Sequence, residues 1–144
     1  MKVSNLVGQK RVITITPKST ALELIKLLTE QKIGAVVVSN NGLDIQGIVS
    51  ERDIVRNLDA KTNLEQVTVA NLMTKEVQVC RPTDTVASVM EIMTIGRFRH
   101  CPVVDEKGNL FSIVSIGDIV KAHISEIAEE RDALNSYIHN YDFN

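Results

Sequence analysis

The chain has 144 residues, 44% hydrophobic and 24% charged, which is enough apolar material for a compact core and too much for a disordered chain. Its net charge of −2 gives no general attraction to nucleic acid or anionic membranes. No apolar run approaches the roughly 20 residues of a membrane span. The first residues lack the pattern of a secretory signal, and Cys80 and Cys101 form no CxxC motif. These features favour a cytoplasmic protein with reduced thiols.

A shift of the chain by 65 positions superposes two copies of one unit. The alignment needs no gap between residues 12 and 55, and both copies end in the same pattern, S-x-x-D-I-V. The matched positions include Pro17 and Pro82, Thr20 and Thr85, Ser50 and Ser115, and Asp53 and Asp118. A clustered set of matches at one spacing indicates an internal duplication.

Each copy is predicted to fold in the order β-α-β-β-α. The helices are indicated by capping residues followed by apolar residues at helical spacing. The strands are indicated by runs of valine and isoleucine bounded by turn residues. In the first copy the predicted elements are a strand at 12–15, a helix from 21 to 28, strands at 34–38 and 45–49, and a helix that begins at Ser50. In the second copy they are a strand at 77–80, a helix from 86 to 93, strands at 100–104 and 110–114, and a helix that begins at Ser115.

The predicted organisation is an α+β fold of two repeats, residues 3–56 and 72–124, related by a pseudo-twofold axis. Residues 57–76 connect them and include a short helix at 69–73 that leads into the second copy, and residues 125–144 form a helical tail. One such unit cannot bury both faces of a three-stranded sheet alone. The two units are therefore expected to share one core.

The duplicated pattern resembles a tandem pair of cystathionine-β-synthase (CBS) domains, the Bateman module. The resemblance rests on P-x-x-T and G/S-I-V-S-x-x-D-I-V in each copy, on the stretch from Arg97 to Asp105, and on Leu72-Met73-Thr74 ahead of the second copy. It covers residues 3–124 and is greatest for bacterial members that stand alone without a catalytic domain. It implies a regulatory homodimer that binds AMP, ADP or ATP, and in some members NAD or S-adenosylmethionine, in clefts between the repeats.

A serine followed three residues later by an aspartate opens the second helix of each copy, Ser50 with Asp53 and Ser115 with Asp118. The free N–H groups at such a helix start favour an anion, and a carboxylate can accept both hydrogen bonds of a ribose cis-diol. Gly117 would let a ligand approach the backbone closely. The alternative stays open that both aspartates only cap their helices, since S-x-x-D is also a capping pattern.

Arg97, Arg99 and His100 form a basic cluster and are candidate phosphate contacts, because guanidinium groups bind phosphate oxygens and histidine titrates near neutral pH. The alternative for Arg97 is that it only forms the solvent-exposed end of the preceding helix and does not contact phosphate. The first copy has Lys32, Gly34 and Ala35 in their places, and it has Arg52 where the second copy has Gly117. Phosphate is therefore expected mainly in the cleft that Arg99 and His100 line, with Arg52 as a further candidate contact.

The resemblance also implies that each cleft receives the first strand and helix start of the opposite repeat. The contacts implied in this way are Thr16 and Ala21 for the ligand held by Asp118, and Arg81 and Val86 for the ligand held by Asp53. Adenine would lie against aliphatic side chains such as Ile113. Without an aromatic shelf, we expect affinity on the order of micromolar.

No catalytic residue, metal site or required cofactor is predicted. The three histidines, His100, His123 and His139, are not spaced as metal ligands, and both cysteines are expected in the core. The chain also lacks a G-x-S-x-G elbow and a Walker loop. The adenine nucleotide would thus be a regulatory ligand rather than a substrate.

The tail carries apolar residues at three- and four-residue steps, among them Ile124, Ile127, Leu134, Ile138 and Tyr141. Such a stripe is buried either against its own domain or across a dimer or paired coil. Two functions remain open: a nucleotide sensor that passes energy status to a protein target, and a ligand-free dimeric scaffold that works through the tail. Nucleic-acid binding is disfavoured by the acidic balance and the scarcity of aromatic residues.

Overall fold

The computed structural model describes residues 1–8 and 12–142, with side chains as far as His139. Its elements, after a 3-10 turn at Val3–Asn5, are β1 Thr14–Ile15, α1 Ala21–Gln31, β2 Ala35–Val38, β3 Gly47–Ser50, α2 Glu51–Asn57, α3 Val69–Leu72, α4 Val86–Gly96, β4 His100–Val104, β5 Leu110–Ser115 and α5 Ile116–Asp142. The α+β class and the duplication are confirmed. The second helix of the second copy and the predicted tail form one continuous helix, α5.

The long helices of the two copies begin and end in the same way. Thr20 Oγ1 accepts a hydrogen bond from the Glu23 N–H at 3.2 Å, and Thr85 Oγ1 accepts one from the Ser88 N–H at 3.1 Å. The predicted capping role of both threonines is therefore confirmed. Each helix stops at a residue in the left-handed region, Lys32 with φ 54° and Arg97 with φ 56°.

The two sheets differ by one strand. In the first copy β2 lies between β1, which is parallel to it, and β3, which is antiparallel. In the second copy β4 pairs with β5, but the predicted strand at 77–80 is reduced to a bridge between Cys80 and Val103, so that prediction is wrong. Pro102 explains the loss, because it has no N–H to extend the parallel ladder. The Gln78 carbonyl accepts instead from the Cys101 thiol at 3.4 Å.

Each repeat has a core of its own, contrary to the expectation of a single shared one. In the first, Val36 and Val38 pack with Leu24, while in the second Cys101 and Val103 pack with other residues of that repeat. Alternate strand residues such as Val37 are also buried, although they point to the opposite face. Because the helices of a repeat cover one face of its sheet, we infer that the other repeat covers the second face.

The short segments that precede the two repeats in the chain are exchanged in space. The first residues of the chain pack on the second repeat, where the Val86 N–H donates to the Met1 carbonyl at 2.9 Å and Val3 enters the core. The predicted short helix exists as α3, but Val69 lies in the core of the first repeat. This helix precedes the second copy in the chain but packs on the first repeat, and the exchange ties the repeats together.

Candidate functional site

A groove of about 610 Å³ lies where the two repeats meet. One side is formed by the start of α2, including Ser50, Arg52 and Asp53. The other is formed by the link from α4 to β4, residues 96–100, and the connector contributes Thr74 and residues 76–78. Its volume falls within the range of pockets that hold small ligands. The groove therefore brings Ser50, Arg52, Asp53, Arg99 and His100 of the candidate set together.

Both candidate aspartates cap their helices. Asp53 Oδ2 accepts the Ser50 N–H at 2.8 Å and the Ser50 hydroxyl at 3.2 Å. At α5, Asp118 Oδ2 accepts the Ser115 N–H at 3.1 Å, and Ser115 Oγ accepts the Asp118 N–H at 3.2 Å. The capping interpretation is thus confirmed for both. The bonds that the two carboxylates accept all use Oδ2, so capping does not exclude a hydroxyl ligand on Oδ1.

His100 lies between the two helix starts. In the register of β4 and β5 it is opposite Ser115, next to the start of α5. Across the groove, a Cβ placed on Gly34 would be 3.6 Å from His100 Cε1 and 3.5 Å from Glu51 Oε1. Gly34, Glu51 and His100 therefore meet at one point of the groove.

The environment of His100 lowers the pKa of its imidazole. Burial is the main cause, since it disfavours the charged form, and the Arg99 charge acts in the same direction. The carboxylates of Glu51 and Asp118 oppose this shift and raise the pKa. This lowered pKa favours the neutral imidazole, whereas a bound phosphate would favour its protonation.

Arg97 and Arg52 couple the two repeats across the groove. Arg52 Nη1 donates to the Arg97 carbonyl at 3.4 Å, a long contact between α2 and the end of α4. Arg97 Cα is in the left-handed region, so the chain turns sharply there and directs Arg99 and His100 into the groove. The solvated-end interpretation of Arg97 is incomplete, because the residue also lines the groove.

The other candidate residues lie outside this groove. Ala21 and Val86 have no exposed surface, so their side chains belong to the two cores and cannot face a ligand in this structure. The Thr16 hydroxyl is hydrogen-bonded to Ser19, and Arg81 Nη1 donates to the Asp105 carbonyl at 3.2 Å. Ser115, Gly117 and Asp118, together with the half-buried Ile113, are likewise not among the residues that line it.

Several lining residues were not found by sequence reasoning. They include Phe98, an aromatic side chain in a site expected to have none, and the acidic Glu51 and Glu76. Glu51 follows Ser50 directly, so its position at the helix start is visible in the sequence, although it was not predicted as a site residue. Phe98 gave no such signal, because its role depends on how the chain turns after α4.

The part of the chain that the structure describes contains neither a metal-binding cluster nor a membrane-spanning helix. No group of three or more histidine, cysteine, aspartate or glutamate side chains is placed to hold a metal ion. None of the helices described has both the length and the apolar character that a membrane span requires.

The fold and groove define a two-repeat module with a ligand-sized cleft at the junction. The profile of the CBS domain family matches residues 3–60 and 69–125, and the chain belongs to that family as a tandem pair. A mitochondrial CBS domain-containing protein of Arabidopsis thaliana is 36% identical over 128 residues, which are 85% of this chain and 62% of that protein. The chain thus spans less than two thirds of that relative's length.

Solved structures show the same architecture. A CBS-domain-containing protein of Agrobacterium tumefaciens is 41% identical, with a TM-score of 0.78 over 85% of this chain and 99% of that one. A CBS-domain protein of Pyrobaculum aerophilum, solved in complex with AMP, is 26% identical, with a TM-score of 0.73 over 82% of this chain and 89% of that one.

Proposed function

We propose that this protein is a regulatory module, without catalytic activity of its own, that binds an adenine nucleotide in the groove between its repeats. The observation that carries the proposal is a single groove that joins a helix-start carboxylate, Asp53, to the basic residues Arg97, Arg99 and His100. The carboxylate suits the ribose diol, and the basic wall suits the phosphate. The AMP complex of the Pyrobaculum relative supports this class of ligand.

The arrangement of charges suggests how the nucleotide would lie. Its ribose would be at the start of α2, where Asp53 and the helix N–H groups are, and its phosphate would extend toward Arg99. Phe98 and the aliphatic lining offer apolar surface for the base. Asp118, at the start of α5 beside His100, is the candidate diol contact for a second nucleotide.

Thermal unfolding with added ligand tests the proposal. A site occupied at 100 times its Kd stabilises the folded state by about 2.7 kcal/mol. We expect at least one of AMP, ADP, ATP, NAD and S-adenosylmethionine to raise the melting temperature at millimolar concentration. If none of them does, the proposal is wrong.

Matched variants locate the site. Asp53→Ala and Asp118→Ala remove the same type of helix cap and are expected to lower stability similarly. The ligand-dependent shift should fall in Asp53→Ala if the groove is the main site, and in Asp118→Ala if the second position is. Arg99→Gly, which copies Gly34 of the first repeat, should weaken phosphate-bearing ligands more than adenosine.

A signalling role belongs to the same proposal: a cytoplasmic homodimer whose arrangement changes with the bound nucleotide and reports energy status to a protein target. Such a change requires different ligand affinities in the two arrangements. The exposed apolar side chains of Val55 and Ile95 support self-association, since such groups are usually covered.

A second candidate function is a ligand-free scaffold that works through α5. The observation in its favour is the apolar surface that α5 exposes at Ile124 and Leu134. In that case the two aspartate variants would change stability only, and no nucleotide would shift the melting temperature.

A further inference from the structure

The helix α5 has two distinct faces. Its inner face packs on the second repeat, where Ile119 and Ala122 are buried in the core. Farther along that face, Glu126 pairs with the amino group of Met1 and lies 3.9 Å from His123 Nδ1. Beyond residue 126 all described side chains of the helix are exposed. The last 16 residues of α5 therefore extend about 24 Å past these contacts.

A second apolar face lies roughly 100° around the helix from the first. We call it the outer stripe; its residues are Val120, Ile124, Ile127, Arg131, Leu134 and Ile138. They follow one another at alternating steps of four and three residues, the spacing that lets a helix pair with another helix. The exposed fractions are 61% for Ile124, 52% for Ile127, 58% for Leu134 and 47% for Ile138. The side chain of Tyr141, expected to continue the stripe, lies outside the described residues.

The position of Arg131 determines which partner the outer stripe fits. In a parallel pair of two copies, each Arg131 would face the other and the two charges would repel. In an antiparallel pair centred on residue 129, Ile124 of one copy faces Leu134 of the other, and Val120 faces Ile138. Arg131 then faces Ile127, and its guanidinium reaches toward Glu130 of the other copy.

We propose that the outer stripe is an antiparallel dimer interface between two copies of this chain. The stripe is self-complementary about its midpoint: Val120 meets Ile138, Ile124 meets Leu134, and each Arg131 lies between Ile127 and Glu130 of the other copy. That is the requirement for a twofold interface, in which the same surface serves both partners. The stripe lies largely beyond residue 125, where the family match ends.

The proposal does not depend on nucleotide binding. The outer stripe shares no residue with the groove that contains Asp53. A tail variant can therefore lose dimerisation and keep its nucleotide-dependent stabilisation. Failure of either proposal is visible without the other.

Disulfide trapping tests the direction of the pair. The double variant Ile124→Cys/Leu134→Cys, treated with a mild oxidant, should give a covalent dimer on a non-reducing gel, while each single variant should not. The two positions are about 15 Å apart within one helix, so they cannot join within a chain. Untreated and oxidised wild-type protein serve as controls, because Cys80 and Cys101 are buried. A covalent dimer from either single variant would overturn the antiparallel arrangement.

Sedimentation measures the interface itself. Leu134→Glu should raise the dimer dissociation constant at least tenfold without changing the circular dichroism spectrum, since position 134 is exposed. Arg131→Glu should weaken the dimer, and the exchanged pair Glu130→Arg/Arg131→Glu should restore it. A wild-type monomer at high concentration, or a dimer unaffected by Leu134→Glu, would contradict the proposal.

Discussion

Gly47 is the position where the structure predicts the sharpest effect of one added methyl group. A Cβ at this residue would lie 2.7 Å from Met73 Sδ and 2.8 Å from the Thr74 carbonyl oxygen. The thioether can move, but Thr74 is held by two backbone hydrogen bonds: its carbonyl accepts from the Ile48 N–H at 3.0 Å, and its N–H donates to the Ile48 carbonyl at 2.9 Å. Weakening both would cost about 1–3 kcal/mol, since each is worth roughly 0.5–1.5 kcal/mol net. We therefore expect Gly47→Ala to destabilise the protein by about 2 kcal/mol.

Urea unfolding followed by circular dichroism measures this loss, and a decrease of roughly 6 °C in Tm should accompany it. Ser112 occupies the equivalent position of the second repeat and already has a side chain, so Ser112→Ala is the matched control and should be nearly neutral. Because Thr74 also lines the groove, ligand stabilisation should weaken in Gly47→Ala. If Gly47→Ala were as stable as Ser112→Ala, the close approach of the connector to β3 would be wrong.

Three further predictions concern the duplicated helices and the groove. Lys32→Gly should raise the free energy of unfolding by about 0.5–1 kcal/mol, because glycine adopts the left-handed conformation without strain. Lys26→Gly, inside α1, should instead lower the free energy of unfolding by about 1 kcal/mol. Chemical denaturation measures both variants. Thr20→Ala should cost about 1 kcal/mol through the lost cap. Thr29→Ala, which removes a hydroxyl in the last turn of α1, should cost less in the same assay. The folded-state pKa of His100 lies below its unfolded value of 6.5, so its contribution to stability is complete above pH 6.5 and is lost as pH falls through the folded-state pKa. His100→Gln should therefore flatten that part of a curve of unfolding free energy against pH. An unchanged slope would contradict the argument that burial lowers this pKa.

The features that were predictable from the sequence are those that depend on residues close together in the chain. The threonine caps, the serine–aspartate helix starts and the continuous helix α5 each arise from side chains within a few positions of one another. Their recurrence after 65 residues revealed the duplication. The candidate residues Asp53, Arg99 and His100 were found because each belongs to such a local pattern.

The arrangement of these elements was decided by contacts between distant parts of the chain. Helical and strand spacing showed which faces are apolar but not what covers them, so the exchange of Val3 and α3 between repeats was not predicted. The loss of one strand depended on Pro102, whose missing N–H matters only when Gln78 lies opposite.

The same distinction applies to the groove. The sequence by itself determined which polar residues stand at the start of each second helix and which ligand groups they can bind. Only the tertiary structure placed His100 between both helix starts, brought Phe98 into the lining, and withdrew Ala21 and Val86 into the cores. Burial and proximity are properties of the packed chain, since they depend on which segments meet, and a local pattern contains no information about its distant neighbours.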